Sequence, residues 1–451
     1  MAHFRCVDRA TPYLLPPSLD EWLPKDHLAR FVVEIVEQLD LSAMKRSYRG
    51  TGSEAYHPEV LLALLIYGYA TGTYGSRRIE QATHESLAFR YIAVNSHPDH
   101  DTLCTFRKRF LKEIEALFVQ VLGIAREMKL LKLGSIALDG TKIKANASRH
   151  SALSYGHAAK LEEQLQAEVR ELLARAEAAD NEPLPEGLNI PEELARREAR
   201  LEAIRAAKSE IERRAAEREA EARAAYEAKL KEREERAERT GKRPGGPPPA
   251  PPTGGVKPTD QVNLTDADSR IMPVAGGGFD QSYNAQAAVD SETMLVIAPH
   301  ITQAANDKEQ IAPMLEALAQ LPEELGAVSE LLTDNGYFSK DNVQQCAKAG
   351  IEPLIALGRE AHHLGWKERF AEAPPEPASP DPAERMRQRF KTREGRARYA
   401  LRKQVVEPVF GIIKSVMRFR QFLLRGLEAV RGEWSLVTMA WNIRRMAVLG
   451  S

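Results

Sequence analysis

The chain is poor in cysteine. Cys6, Cys104 and Cys346 are spread over 451 residues. They make neither a disulfide framework nor a CxxC metal site, and such usage fits a reducing cytoplasm. Long apolar runs are missing too. The longest, VLLALLIYGYA from Val60, is too short to span a bilayer, and the start, MAHFRCVDRA, has no apolar signal core. A soluble protein without a membrane partner is expected. Net charge is almost absent, at −1, so the chain as a whole does not advertise a polyanion partner. That average conceals an asymmetry. Residues 385–445 carry 16 Lys/Arg against 4 Asp/Glu, whereas residues 160–239 carry 17 against 22. Phosphates are therefore to be sought at the C-terminal end.

What is present leaves room for two or three domains. Residues 1–130 read as a helical domain. Pro58 suits a first helical position, and a long helix capped by Asp101 is expected from Leu103, Phe106, Phe110, Ile114, Leu117, Val121 and Ile124. Its first turns carry Arg107, Lys108 and Arg109. A basic helix start after a short turn suits DNA, and the alternative is a solvated face of a bundle. His57, His97 and His100 lack metal-ligand spacing and read as surface or capping residues.

From Gly134 the texture changes. SIALDGTKIKANA reads as a strand, a turn at Gly140 and a second strand. Residues 131–158 then form the first part of an α/β core. Residues 159–255 form a charged insertion. Leu161, Leu165, Val169 and Leu172 make one apolar stripe, and Leu194, Leu201, Ile204 and Ile211 another. Two stripes separated by NEPLPEGLNIPEE predict a helical hairpin or coiled coil, followed by a stiff Pro-rich linker. Residues 256–451 hold the rest of the core. YNAQAAVD and MLVIAPHI read as strands, and Asn306 or Asp307 as the cap of a helix. LLTDNG is a strand ending at Asp334, a helix follows from Ser339, and EPLIALG is the last strand.

Three acids stand out. Asp139 and Asp334 sit at the ends of apolar strand runs, and Glu407 is a lone acid in a basic, apolar helix. An Asp-Gly at a strand end is usually structural. Two of them with a helical acid suit a hard divalent cation, because carboxylates from separate elements can bring two ions about 4 Å apart. On a helix, Lys403, Glu407, Gly411 and Lys414 share a stripe, while Leu401, Val405, Val409, Ile412 and Val416 fall on a face that packs a sheet. Pro408 predicts a kink or a new helix start beside Glu407.

At these residues the chain resembles the DDE transposases of bacterial insertion sequences, in the branch with a Tyr-Arg-Glu-Lys signature. ALDGTKIKANAS is similar to the family's first-aspartate block, SYNAQAAVD to its second strand and LTDNGYFS to its second-aspartate block. GRARYALRKQVVEPVFGIIK resembles the signature, and HPDHDTLCTFRKRF the preceding helical domain. The resemblance implies an RNase H-like mixed five-stranded sheet flanked by helices. Carried over by position, Asp139, Asp334 and Glu407 are the metal triad for two Mg2+ ions, with Mn2+ as a substitute. Tyr399, Lys414 and either Arg402 or Lys403 are the signature's DNA-contacting residues. Arg402 keeps the spacing to Tyr399, and Lys403 keeps the spacing to Glu407. Arg418, Arg420 and Arg425 are read as phosphate contacts, and Trp434 and Trp441 as packing. The implied activity is cleavage and transfer of double-stranded DNA at terminal inverted repeats, by a homodimer or larger assembly in the bacterial cytoplasm. Competing readings are a nuclease that cuts without joining, an inactive DNA-binding derivative, and a coiled-coil assembly factor.

Overall fold

A computed structural model describes residues 18–48, 54–178, 189–241, 245–274, 276–358 and 381–450. Cys6 and most of residues 359–384, whose proline- and glutamate-bearing sequence reads as a loop, lie outside them. The chain divides into two compact units: residues 1–143 with 284–451, and residues 144–283.

In the first unit the N-terminal helices form where apolar residues recur at helical spacing. They are α1 (Leu19–Trp22), α2 (Leu28–Glu37), α3 (Ser42–Arg46), α4 (Pro58–Thr71), α5 (Ser76–Glu85), α6 (Leu87–Ile92), α7 (His100–Arg109) and α8 (Leu111–Glu127). Pro58 opens α4, the His57 side chain accepts the Glu59 N–H, and Gly72 ends the helix at φ +82°. α4 is apolar on every side and correspondingly buried. The single helix expected over 101–124 is in fact two. Phe110 leaves helical geometry at φ −109°, ψ 23°, and the cap is Asp99, which accepts the Thr102 N–H at 2.7 Å. The Arg107–Arg109 run therefore ends α7 and does not begin a long helix.

The sheet of this unit starts at β1 (Ser135–Lys144), which runs straight through Gly140 without the expected turn. It continues with β5 (Phe279–Asp290), β6 (Val296–Thr302), β7 (Glu330–Thr333) and β8 (Glu352–Ile355), interleaved with α11 (Ile311–Ala319) and α12 (Lys340–Lys348). The order is β6-β5-β1-β7-β8. β1, β7 and β8 are parallel, whereas β5 and β6 pair antiparallel. α13 (Pro382–Lys391), α14 (Arg393–Ser415) and α15 (Leu427–Leu449) close the chain. α15 is buried nearly all round and packs on α4, α8 and β6. Its Asn442 bonds both the N–H and the C=O of Val296 at 2.8 Å, which protects the edge strand. Trp434 and Trp441 donate to the carbonyls of Gln286 and Met294.

The second unit is the insertion. Its helices α9 (Tyr155–Ala178) and α10 (Ile190–Thr240) pack as a hairpin beside β2 (Ala152–Ser154) and β3 (Gln261–Asn263). Leu165, Leu201, Ile204 and Ile211 form the seam. β4 (Arg270–Pro273) pairs with the first residues of β5, so the sheet has a sixth, short strand beyond the five expected. No helix among the described residues is long and apolar enough to cross a membrane.

Candidate active site

β1 and β7 align with a constant offset of 195 residues: 135 with 330, 136 with 331 and 137 with 332. Extended two positions, the same register sets Asp139 beside Asp334. The parallel ladder thus carries Asp139, in the middle of β1 and not at its end as expected, next to Asp334, just past the end of β7, with about 4.8 Å between strand axes. Local bonds fix each carboxylate. Asp139 accepts the Gly140 N–H at 2.8 Å, and Asp334 accepts the Gly336 N–H at 2.9 Å as it caps a short 3-10 turn.

α14 crosses this end of the sheet. It runs from Arg393 to Ser415 with Pro408 inside it, so no new helix starts at Glu407. The missing proline N–H leaves the Gln404 carbonyl without its helical partner. The packed face is also not the one expected. Val405 and Val409 are buried, but Val406, Phe410 and Ile413 complete that face. Leu401 and Ile412 are half-buried, and Val416 is exposed.

This rotation turns Arg402 inward. Its Nη1 donates to Asp139 Oδ2 at 3.0 Å, and its Nη2 lies 3.7 Å from Glu407 Oε1. Its side chain is 9% exposed, against 56% for Glu407. Lys403 points to solvent. Burial would lower the Arg402 pKa, but Asp139, Tyr399, Asp334 and Glu407 together outweigh it and raise it. The guanidinium therefore gathers the field of all three acids. Burial pushes the Asp139 carboxyl up to about 6, even with Arg402 opposing it. Tyr399 packs edge-on against Phe390. The Lys414 ammonium donates to Thr141 Oγ1 and to the Lys142 carbonyl, so it is anchored on β1 two residues past Asp139.

A second shell of polar groups surrounds Gly140. Tyr337 OH donates to Gln286 Oε1, and Gln286 Nε2 donates to Asp307 Oδ1 at 2.6 Å. Asn284 Nδ2 also donates to Asp307 Oδ1, at 2.7 Å. A methyl group on Gly140 would overlap Gln286 Nε2 and lie 2.7 Å from Asp307 Oδ1. Asp307 was expected as a helix cap. Instead α11 starts at Ile311 without a side-chain cap. The polar residues Asn284 and Gln286, alternating with Ala285 and Ala287 in a buried strand, were the available signal for this network.

Three residues read as DNA contacts separate here. Arg107 is buried, 4% exposed, and donates to Tyr69 OH at 3.0 Å. Tyr69 in turn donates to the fully buried Glu433 at 2.6 Å. Arg107 is a core cation with a core partner and is not available to a phosphate. Lys108 is exposed. Arg109 is exposed but donates to the Ser47 carbonyl at 2.6 Å and lies over the Tyr48 ring. Arg418, Arg420 and Arg425 are exposed. His57 caps α4, His97 bonds Thr83 and His100 bonds Glu80.

The donor set of Asp139, Asp334 and Glu407 is all oxygen, which suits a hard divalent cation. An under-neutralised Asp139 has the same implication. Among the described residues no three His, Cys, Asp or Glu side chains are drawn together closely enough to form a metal shell. The place between Asp139 and Glu407 is taken by Arg402.

Comparison with known families agrees with this geometry. Residues 17–109 match the family described as transposase domain (DUF772), and residues 262–443 match the family described as transposase DDE domain. No curated protein and no solved structure matches the chain. The helical N-terminal region, the mixed sheet with its interrupting insertion and the two family matches in this order place the chain in the DDE-type transposases.

Proposed function

We propose that this chain is the DNA transposase of an insertion sequence, which cuts at the terminal inverted repeats and joins the freed ends to target DNA. The observation that carries the proposal is the meeting of Asp139 and Asp334 on adjacent parallel strands, with Glu407 reached through Arg402. In this reading Asp139, Asp334 and Glu407 hold Mg2+, or Mn2+ in its place. When bound, the ions supply Lewis-acid stabilisation of the phosphoryl oxygens and a more acidic attacking hydroxyl.

The protein's own groups do the rest. Arg402, 3.0 Å from Asp139 and 3.7 Å from Glu407, holds these carboxylates together and balances their charge. Lys414, fixed by Thr141, presents a positive charge to the DNA strand on the same helix stripe as Glu407. Water attacks phosphorus in line at the element end, and the departing 3′ oxygen leaves with a proton as a 3′-hydroxyl. That hydroxyl then attacks a phosphodiester of the target and displaces its 3′ oxygen, so no covalent enzyme intermediate forms. Paired cutting of two ends calls for at least a homodimer on DNA.

The test is a strand-transfer assay with purified protein, Mg2+ and pre-cut duplexes bearing the repeats that flank the gene. Joined products, lost in Asp139→Asn, Asp334→Asn and Glu407→Gln, are expected. Cleavage without joining would favour the nuclease reading. Absence of both, with DNA binding retained, would favour the inactive derivative.

A further inference from the structure

The segment after α14 alternates in a way that its sequence alone does not reveal. Met417, Phe419, Phe422 and Leu424 are buried, Arg418 and Arg420 are exposed between them, and Arg425 is exposed just after. The backbone is held tightly. Glu433 accepts the Leu423 and Leu424 N–H groups at 2.9 and 3.0 Å. Phe419 sits among Tyr69, Tyr74 and Phe422. Arg418 adopts φ +58°, a conformation that a side chain of this kind occupies only when its surroundings impose it. Tyr74 imposes it by donating to the Arg418 carbonyl at 2.8 Å.

Tyr74 lies two residues before α5, whose first turn carries Arg77 and Arg78, both exposed. Burial raises the Tyr74 phenol's pKa, while Arg78, Arg418 and Arg420 all pull it down, so their three charges bear on one hydroxyl. Arg420 in turn bears on Lys414. Among the described residues, Arg77, Arg78, Arg418 and Arg420 have no acidic partner. Several cations elsewhere are paired with acids. Arg389 meets Glu330 and Glu352, and Arg197, Lys208 and Arg218 of the insertion each meet an acid. Unpaired arginines gathered at a built surface call for an external polyanion.

We propose that Arg77 and Arg78 of α5, together with Arg418 and Arg420, form one cationic strip that leads away from Lys414 and takes the sugar-phosphate backbone of duplex DNA beside the cleavage point. The proposal rests on the transposase reading and adds to it that the N-terminal helices contribute through α5 and not through the Arg107–Arg109 run. The contact is to phosphates and independent of sequence.

The experiment measures binding of a labelled duplex lacking element sequence across a salt series. Asp139→Asn is the parent, so that the DNA stays intact. Arg77→Gln/Arg78→Gln is expected to lower the slope of log K against log salt by about 1.8 and to weaken binding about tenfold at 0.15 M salt. Arg418→Gln/Arg420→Gln is expected to do the same. Melting curves matching the parent establish that the variants fold. An unchanged slope and affinity in the Arg77/Arg78 variant, with a parent that binds, overturns the strip alone. A parent that binds no duplex, from a wild type that cuts none, overturns the transposase reading as well.

Discussion

Burial raises the Asp139 pKa to about 6 although Arg402 lies 3.0 Å away. A carboxyl with a raised native pKa is protonated more readily in the folded than in the unfolded chain. Folding stability is then highest below the unfolded value of 3.8, falls as pH rises from about 4 to 6, and stays low above that. The span corresponds to up to about 3 kcal/mol, less the screening of a side chain that is 20% exposed. Asp139→Asn is therefore expected to raise the thermal midpoint at pH 7.5 and to lose that advantage by pH 4. Added Mg2+ should raise the wild-type midpoint more than that of the variant. Equal midpoints at both pH values would refute the account. Residue-scale placement was only partly legible. Strand-end position singled out Asp139 and Asp334, and isolation in a basic segment singled out Glu407. The choice between Arg402 and Lys403 was not legible, because spacing allowed both and only the rotation of α14 buries one. Arg107 looked like its neighbours, since the partners that draw it inside lie 38 and 326 residues away in the chain.

Two elements carry the site, and each holds a residue that its secondary structure disfavours. In β1, Gly140 is needed for close approach. Gln286, Asn284 and Asp307 occupy the space of a side chain, and their mutual hydrogen bonds prevent retreat. Gly140→Ala should cost about 1–3 kcal/mol by overpacking and reduce DNA cleavage, because Asp139 is the adjacent residue. A variant with unaltered midpoint and rate would show that the network yields. In α14, Pro408 leaves one helical bond unmade. Pro408→Ala restores it and should stabilise the protein by about 1 kcal/mol, readable as a higher urea midpoint. The apolar runs of α4, β1 and β7 were readable because each is strongly patterned over its length. The break at Phe110 was not. Leu103 through Ile124 keep one period across it, and nothing local marks the change of direction.

At the scale of the first unit, α15 lies against the N-terminal helices and the sheet at once. Glu433 on it is fully buried and takes hydrogen bonds from Tyr69 and from the backbone of the arginine-bearing segment. Glu433→Ala strands those donors together with the Arg107 charge, so a loss of about 3–5 kcal/mol is expected. Because one helix serves both parts, calorimetry should show the whole unit melting earlier in one transition. A separate early melt of the helical part would contradict this. The helix–strand order was legible from the periods. The packing of the N-terminal helices into the same unit as the sheet was not, since it depends on a helix near the other end of the chain.

The 195-residue offset between β1 and β7 also governs how the molecule is made. Ile136 and Ala137 leave the ribosome long before Leu331 and Leu332, their lateral neighbours. The α9–α10 hairpin, which draws its apolar seam from its own neighbourhood, completes itself in the interval. A gene copy cut short after the hairpin and its Val262 strand but before Leu331 would yield a self-contained hairpin joined to an unmated sticky strand, a product suited to clumping and degradation.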